Sequence, residues 1–115
     1  MTFKTVTQQR DEHRIFAGND TAHTAIGSNG IATQTPALTP LMLDDASGKL
    51  VIWDGQKAGV AVGVLALPLV GGEEQLTYWK SGTFATEAIQ WPNAVDAAKK
   101  ANAFVGSAIS HAALP

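Results

Sequence analysis

The sequence predicts a mainly β fold with one short helix near residues 93–105 and a flexible N-terminal arm. Three observations lead to this prediction. From residue 37 onward, short runs of apolar and β-branched residues alternate with turns that contain Gly, Asp or Ser. Only one stretch has the features of a helix. The first 35 residues are rich in Thr, Gln, Asn, Gly and Ser, and their few large apolar residues follow no regular period.

Four strands are expected in the folded part. In "LTPLMLD", Pro40 lies at the edge or the start of a strand, where its missing N–H is harmless. Residues 60–67 are almost entirely apolar and rich in β-branched side chains, which is typical of a buried strand. Residues 49–53 and 76–80 are the other two strands. Turns are expected at residues 44–48, 54–55, 71–72 and 81–82, and residues 83–90 have a mixed character.

The helix is predicted from "PNAVDAAKKANAFVG". Asn93 is a suitable N-cap, and Asp96 places a negative charge in the first turn, where the helix dipole favours it. Val95 and Ala98 begin one face of the helix, and Gly106 is a natural stop signal.

Two segments are predicted from the change in composition: an arm at residues 1–20 and a single compact β-rich domain at residues 21–115. An arm of this composition buries too little apolar surface to fold alone. Pro36, Thr39 and Pro40 are interpreted as the junction between arm and body. Proline fixes its own φ and forces the preceding residue into an extended conformation, so a stiff junction would direct the arm.

Composition excludes several classes of function. The net charge of −2 and the scattered Lys and Arg residues argue against direct nucleic-acid binding. No cysteine is present, which excludes disulfides and thiolate chemistry. No secretory signal and no membrane span are expected, because the longest apolar run is short and interrupted. The charged share of 16% is low, which favours a protein that hides part of its surface in a partner.

No catalytic or metal-binding constellation is apparent. His13, His23 and His111 lie far apart and form no ligand pair, so no metal and no cofactor are expected. The acidic pairs at residues 44–45 and 73–74 lie in turns, where solvated carboxylates are the simpler interpretation.

The aromatic residues suggest a surface function. Tyr78 and Trp79 are neighbours on one strand and must point to opposite faces, so both faces need covering. One face would belong to the core, and the other to a subunit interface or to a second part of the core. Trp and Tyr are favoured at interfaces, so the candidate interface residues are Trp53, Tyr78, Trp79 and Trp91.

Five long stretches in a fixed order resemble the head decoration proteins of lambda-like phages. They are "PALTPLMLD", "KLVIWDG", "AVGVLALP", "LTYWKSGTFATEAIQWP" and "KKANAFVGSAIS". The resemblance covers about residues 20–110 and includes "AHTAIG". The first residues and the tail "HAALP" depart from lambda head protein D and are closer to its smaller relative, the stabilising head protein.

The resemblance implies a β-clip-like fold and a homotrimer without enzymatic activity or cofactor. Such a trimer would bind the three-fold and quasi-three-fold sites of the expanded head and cement the major capsid protein against the pressure of packaged DNA. It would lie on the outer surface of the virion after synthesis in the host cytoplasm. The arm would dock on the capsid as an added strand. Its candidate docking residues are Thr2, Phe3, Lys4, Thr5, Val6, Thr7, Ile15 and Phe16, and the aromatic residues named above become candidates for the trimer interface.

Two other functions are considered. A small trimeric nucleotide hydrolase of the dUTPase type shares the β-clip architecture, but it needs an acidic metal site and a glycine-rich C-terminal lid, and the tail "SHAALP" contains neither. A carbohydrate-binding module would need exposed indole rings at Trp53, Trp79 and Trp91.

Overall fold

Seven strands, one 3-10 turn and one α-helix make up residues 15–114, the part of the chain that the computed structural model describes. The prediction of a mainly β protein with one short helix is confirmed. In chain order the elements are β1 (Thr24–Ser28), β2 (Pro40–Leu43), β3 (Leu50–Ile52), β4 (Ala61–Leu65), β5 (Gln75–Trp79), β6 (Ser81–Ala85), a 3-10 turn (Thr86–Ala88), α1 (Ala97–Ala101) and β7 (Ala108–Ala112).

The first five strands form one antiparallel sheet in the order β1-β5-β4-β2-β3. The sheet curls, because its two edges meet where the N–H of Gly30 donates to the carbonyl of Leu50 at 2.8 Å. Glycine allows this close approach: a Cβ on Gly27 would lie 2.5 Å from Cδ1 of Leu50. A register shift between Leu41 and Met42 adds to the bend.

Two hydrophobic clusters lie against the two faces of strand β5. Tyr78 packs on one cluster and Trp79 on the other, as the alternation of side chains along a strand requires. The leucine core consists of Ile31, Leu41, Leu50, Leu65, Leu69 and Leu76. The aromatic core consists of Trp53, Ala61, Val64, Phe84, Ile89, Ala103, Phe104 and Ile109. Of the two alternatives for Tyr78 and Trp79, the structure therefore supports a two-sided core.

Strands β6 and β7 form a second, parallel sheet in which Ser81 lies opposite Ala108 and Ala85 opposite Ala112. A parallel pair needs a long crossover connection, and residues 86–107 provide it with the 3-10 turn and helix α1. The buried residues of this crossover complete the aromatic core.

Helix α1 is shorter than predicted and begins later. Asp96 is its N-cap, and its Oδ1 accepts a hydrogen bond from the N–H of Lys99 at 2.8 Å. Asn93 is not the cap, because Ala94 has a φ of 62° and breaks the helical path between them. The predicted strands around β2, β3, β4 and β5 are confirmed, whereas β1, β6 and β7 were not expected, and the turn predicted at residues 81–82 is the start of β6.

The prediction of an arm–body junction at Pro36, Thr39 and Pro40 is wrong. The chain before Pro36 already belongs to the body, since Thr35 and Leu69 exchange two backbone hydrogen bonds of 3.0 and 2.9 Å. Thr39 and Pro40 are buried, and the Thr39 hydroxyl donates to the Pro36 carbonyl at 2.8 Å. These prolines thus shape an internal connection between β1 and β2.

The leucine core predicts the effect of a truncation inside it. Leu65→Ala should lower the free energy of unfolding by about 2–5 kcal/mol, because Leu65 is fully buried and the structure around a cavity relaxes only in part. Leu65→Met conserves most of the volume and should cost less than about 1.5 kcal/mol. Urea unfolding at one fixed protein concentration measures both values, and equal losses for the two variants would contradict a tightly packed core.

Candidate functional site

The N-terminal segment joins the body at the free edge of strand β6. The N–H of Ala17 donates to the Thr83 carbonyl at 3.0 Å, and the N–H of Ala85 donates to the Ile15 carbonyl at 2.7 Å. Phe16 lies opposite Phe84 in an antiparallel bridge. Residues 15–17 therefore form a third, very short strand of the small sheet.

The Phe16 ring packs against the body as well. Its centroid lies 5.3 Å from that of Trp79 in an edge-to-face arrangement and 5.0 Å from that of Phe84. Ile15 and Phe16, two of the residues predicted to bind the capsid, are thus placed at the attachment of the arm to the body. The other predicted docking residues, at positions 2–7, lie outside the described residues.

Both ends of the described chain emerge at the same end of the small sheet. Ile15 lies beside Ala85, because the 15–17 segment runs antiparallel to β6. Strand β7 runs parallel to β6, so its last residue also lies beside Ala85. Beyond it, the N–H of Leu114 donates to both carboxylate oxygens of Glu87 at 3.2 Å. We call this end of the small sheet the terminal face.

His111 connects strand β7 to the crossover. Its Nε2 donates to the Lys100 carbonyl at 2.9 Å, and its Nδ1 lies 2.8 Å from the hydroxyl of Thr86. The ring also packs on Trp91, with centroids 4.9 Å apart, and the Lys100 ammonium lies 5.5 Å from the centroid of the Trp91 indole. Within residues 15–114, no group of three or more His, Asp or Glu side chains is arranged to hold a metal ion.

The aromatic residues predicted for an interface have different positions. Trp53 is fully buried in the aromatic core, and its indole N–H donates to the Lys57 carbonyl at 3.0 Å. It has no surface left for a partner, so its assignment to an interface is corrected. Tyr78, Trp79 and Trp91 are half-buried. The indoles of Trp53, Trp79 and Trp91 offer no freely exposed face of the kind on which a carbohydrate ring stacks.

Other apolar side chains are exposed instead. Ile26, Leu67 and Val70 are 67%, 60% and 79% exposed, and Leu43, Ile52 and Val105 are also accessible. Leu67 and Val70 lie in the β4–β5 connection, which is held in place by the Thr35–Leu69 pair. Ile26 and Leu67 line one cleft together with Pro68, so these apolar side chains are neighbours. A contiguous apolar surface of this kind is typical of surfaces that are covered in an assembly. The exposure of Leu67 has a trace in the sequence, because the apolar run that contains β4 extends beyond the buried residues of that strand.

The two acidic pairs occur in turns, as predicted. The Ser47 hydroxyl and N–H bond to the Asp44 carboxylate and hold its pKa below the ordinary value of 3.8. The N–H of Val70, together with those of Glu73 itself and Gly71, holds the pKa of Glu73 below 4.5. These carboxylates close turns and do not converge on a common cleft.

A cleft of about 590 Å³ lies beside the end of β1, and the Asn29 side chain that lines it is engaged within the chain. The Asn29 amide nitrogen donates to the carbonyls of Ile31 and Glu73 at 3.1 and 2.7 Å, and its oxygen accepts from the N–H of Ile31 at 2.9 Å. Throughout residues 15–114, every buried side-chain nitrogen or oxygen atom has a hydrogen-bond partner. No helix in this part of the chain has the length and apolar character to cross a membrane.

Comparison with known proteins gives a consistent result. Residues 5–112 match the family model of the bacteriophage lambda head decoration protein D. The chain is 74% identical to the head decoration protein of Enterobacteria phage P21 over 115 residues, which is the full length of both chains. It is also 50% identical over 100 residues to a putative decoration protein of Escherichia phage N15, covering 85% of this chain and 91% of the relative.

The lowered pKa of Glu73 predicts that the contribution of this residue to stability depends on pH. Its pKa is lowered in the folded protein, so its stabilising effect is present above 4.5 and is lost as the pH falls through the folded-state pKa. Glu73→Gln should therefore lower the urea midpoint at neutral pH, and the difference from the parent protein should shrink as the pH falls below 4.5.

Glu74→Gln is the matched control for this experiment, because the Glu74 carboxylate has no hydrogen-bond partner among the described residues. Equal effects of the two substitutions, or a difference that does not depend on pH, would contradict the role of Glu73 in the turn.

Proposed function

This chain belongs to the family of the bacteriophage lambda head decoration protein D, and from that premise we propose that it is a homotrimer that cements the expanded phage head. The trimer binds the three-fold and quasi-three-fold sites of the head and holds the major capsid protein against the pressure of packaged DNA. The observation that carries this proposal is the family match over residues 5–112, together with 74% identity to a head decoration protein over the whole chain.

The coarser function follows from the family itself. Its members are structural proteins that decorate phage heads, so this chain is a capsid decoration protein and not an enzyme. Its place is the head of the virion, and we propose that it lies on the outer surface after synthesis in the host cytoplasm.

The proposed capsid contact is an added strand made by the arm. Residues 2–7 are rich in the β-forming residues Thr, Phe and Val, and an extended peptide of this kind pairs with an exposed sheet edge. The described structure supports this proposal, since residues 15–17 already run as a strand along β6 at the terminal face. The family match includes most of the arm, because it begins at residue 5.

The proposed trimer explains how weak individual contacts give tight binding. Ordering an arm costs conformational entropy, so one arm alone binds weakly. Three arms on one rigid body bind together through effective concentration, which strengthens binding by about 10²–10⁴. The exposed apolar residues and the low charged share of 16% support a surface that is hidden in an assembly. Tyr78, Trp79 and Trp91 keep enough exposure to belong to the proposed subunit contact.

Removal of residues 2–14 tests the role of the arm. The deletion leaves the strand at residues 15–17 in place, so the folded body and its oligomeric state should be unchanged. Affinity for expanded, DNA-free heads that lack decoration protein should fall at least about 100-fold, because all three arms are lost together. Sedimentation of the heads measures binding, and size-exclusion chromatography with light scattering measures the oligomeric state.

A second variant keeps the length of the arm and replaces residues 2–7 with Gly and Ser, which removes the β-forming side chains. It should lose affinity almost as strongly as the deletion. If the deleted protein binds as tightly as the full chain, the arm does not dock on the capsid. If the full chain is monomeric at micromolar concentration, the trimer is not its functional form.

A further inference from the structure

We infer that Phe16 is a positioning residue, which fixes the point where the arm leaves the body and does not itself contact the capsid. The inference rests on the proposed docking role of the arm. It differs from the prediction made from the sequence, in which Phe16 was one of the residues that bind the capsid.

The Phe16 ring contacts both sheets. Phe16 packs on Trp79 at the end of β5, in the five-stranded sheet, and on Phe84 of β6, in the small sheet. Trp79 and Phe84 also contact each other, with centroids 5.9 Å apart. The three rings form a closed set, which we call the aromatic clamp. A ring held this way is already engaged within its own chain.

The backbone next to the clamp is also held against β6. The hydrogen bonds of Ala17 and Ile15 to β6 orient the chain along that strand. The backbone of Gly18 also runs close to β6, since a Cβ on this residue would lie 2.8 Å from the Cβ of Thr83. The described chain therefore begins at a fixed point at the terminal face, with residues 15–18 held along β6.

If the clamp opens, the N-terminal segment stays attached to the body only farther along the chain. The next attachments along the chain are at Ser81, whose side-chain oxygen donates to the Thr21 carbonyl at 3.2 Å and accepts from the N–H of His23 at 2.9 Å. Without the clamp, the free tether would lengthen from about 14 to about 20 residues.

This change in tether length sets the size of the effect. Effective concentration falls as the −3/2 power of tether length or more steeply, which gives roughly a twofold loss for each arm. Effective concentration governs the second and third arms to bind, so these two arms together lose about threefold, and the loss of a fixed starting direction adds to this value.

The test is a double-mutant cycle between Phe16→Ala and the deletion of residues 2–14. Binding to expanded, DNA-free heads is measured for the full chain, each single variant and the combined variant. Phe16→Ala should weaken the full chain at least about threefold and should leave the affinity of the deletion variant unchanged. A residue that contacts the capsid, or one that only stabilises the body, would cost the same in both backgrounds, and that result would overturn the inference.

Three further variants keep the test independent of folding. Phe16→Leu retains an apolar side chain in the clamp and should recover most of the affinity. Ala17→Pro removes the N–H that bonds to Thr83 while leaving the ring in place, and it should weaken binding only when the arm is present. Ile31→Val loosens the leucine core, to which none of the three clamp rings belongs, and should not alter affinity in either background.

Hydrogen exchange at the N–H of Ala85 reports the clamp directly, because this group bonds to the Ile15 carbonyl. Exchange should accelerate in Phe16→Ala and in Ala17→Pro, with the rest of the β6–β7 sheet still protected. If deletion of residues 2–14 alone leaves binding unchanged, the arm proposal fails and this inference fails with it. If the deletion weakens binding but Phe16→Ala does not, only the positioning role of Phe16 is overturned.

Discussion

The fold depends on strand β5 being covered on both of its faces. Tyr78 packs on the leucine core and Trp79 on the aromatic core, so one strand stabilises two clusters that would each be small alone. A chain without cysteine has no disulfide to join such clusters, and sharing a central strand joins them by packing. Only Lys80 separates β5 from β6, so the same segment also links the large sheet to the small one.

This arrangement also organises the end of the molecule from which the arm extends. Trp79 contributes to the aromatic core and receives the ring of Phe16, so the attachment of the arm is built on the most constrained part of the fold. The parallel pairing of β6 and β7 brings the C-terminal residues to the same place, where Leu114 bonds to Glu87. The terminal face therefore holds both ends of the described chain on one rigid part of the body.

Local patterns predicted the part of the fold that depends on local physics. Strands β2 to β5 and the turn closed by Asp44 follow from apolar runs and turn residues that act over a few positions. Strands β1 and β7 were not predicted, because "TAIGS" and "AISHA" consist mainly of small or polar residues that become strands only when a partner edge is available. The predictions for the proline segment and for Trp53 were wrong for the same reason, since nothing local indicates that Pro40 is buried or that the Trp53 indole faces inward.

The order of the strands has a consequence for the synthesis of the protein. The arm is made first, but its attachment site on β6 belongs to a small sheet whose other strand, β7, lies at the far end of the chain. Long-range pairings of this kind form late, because the intervening chain must be ordered before the pairing stabilises it. A nascent or truncated chain that ends before residue 108 lacks β7, so only a chain that includes this strand can pair β6 along both of its edges.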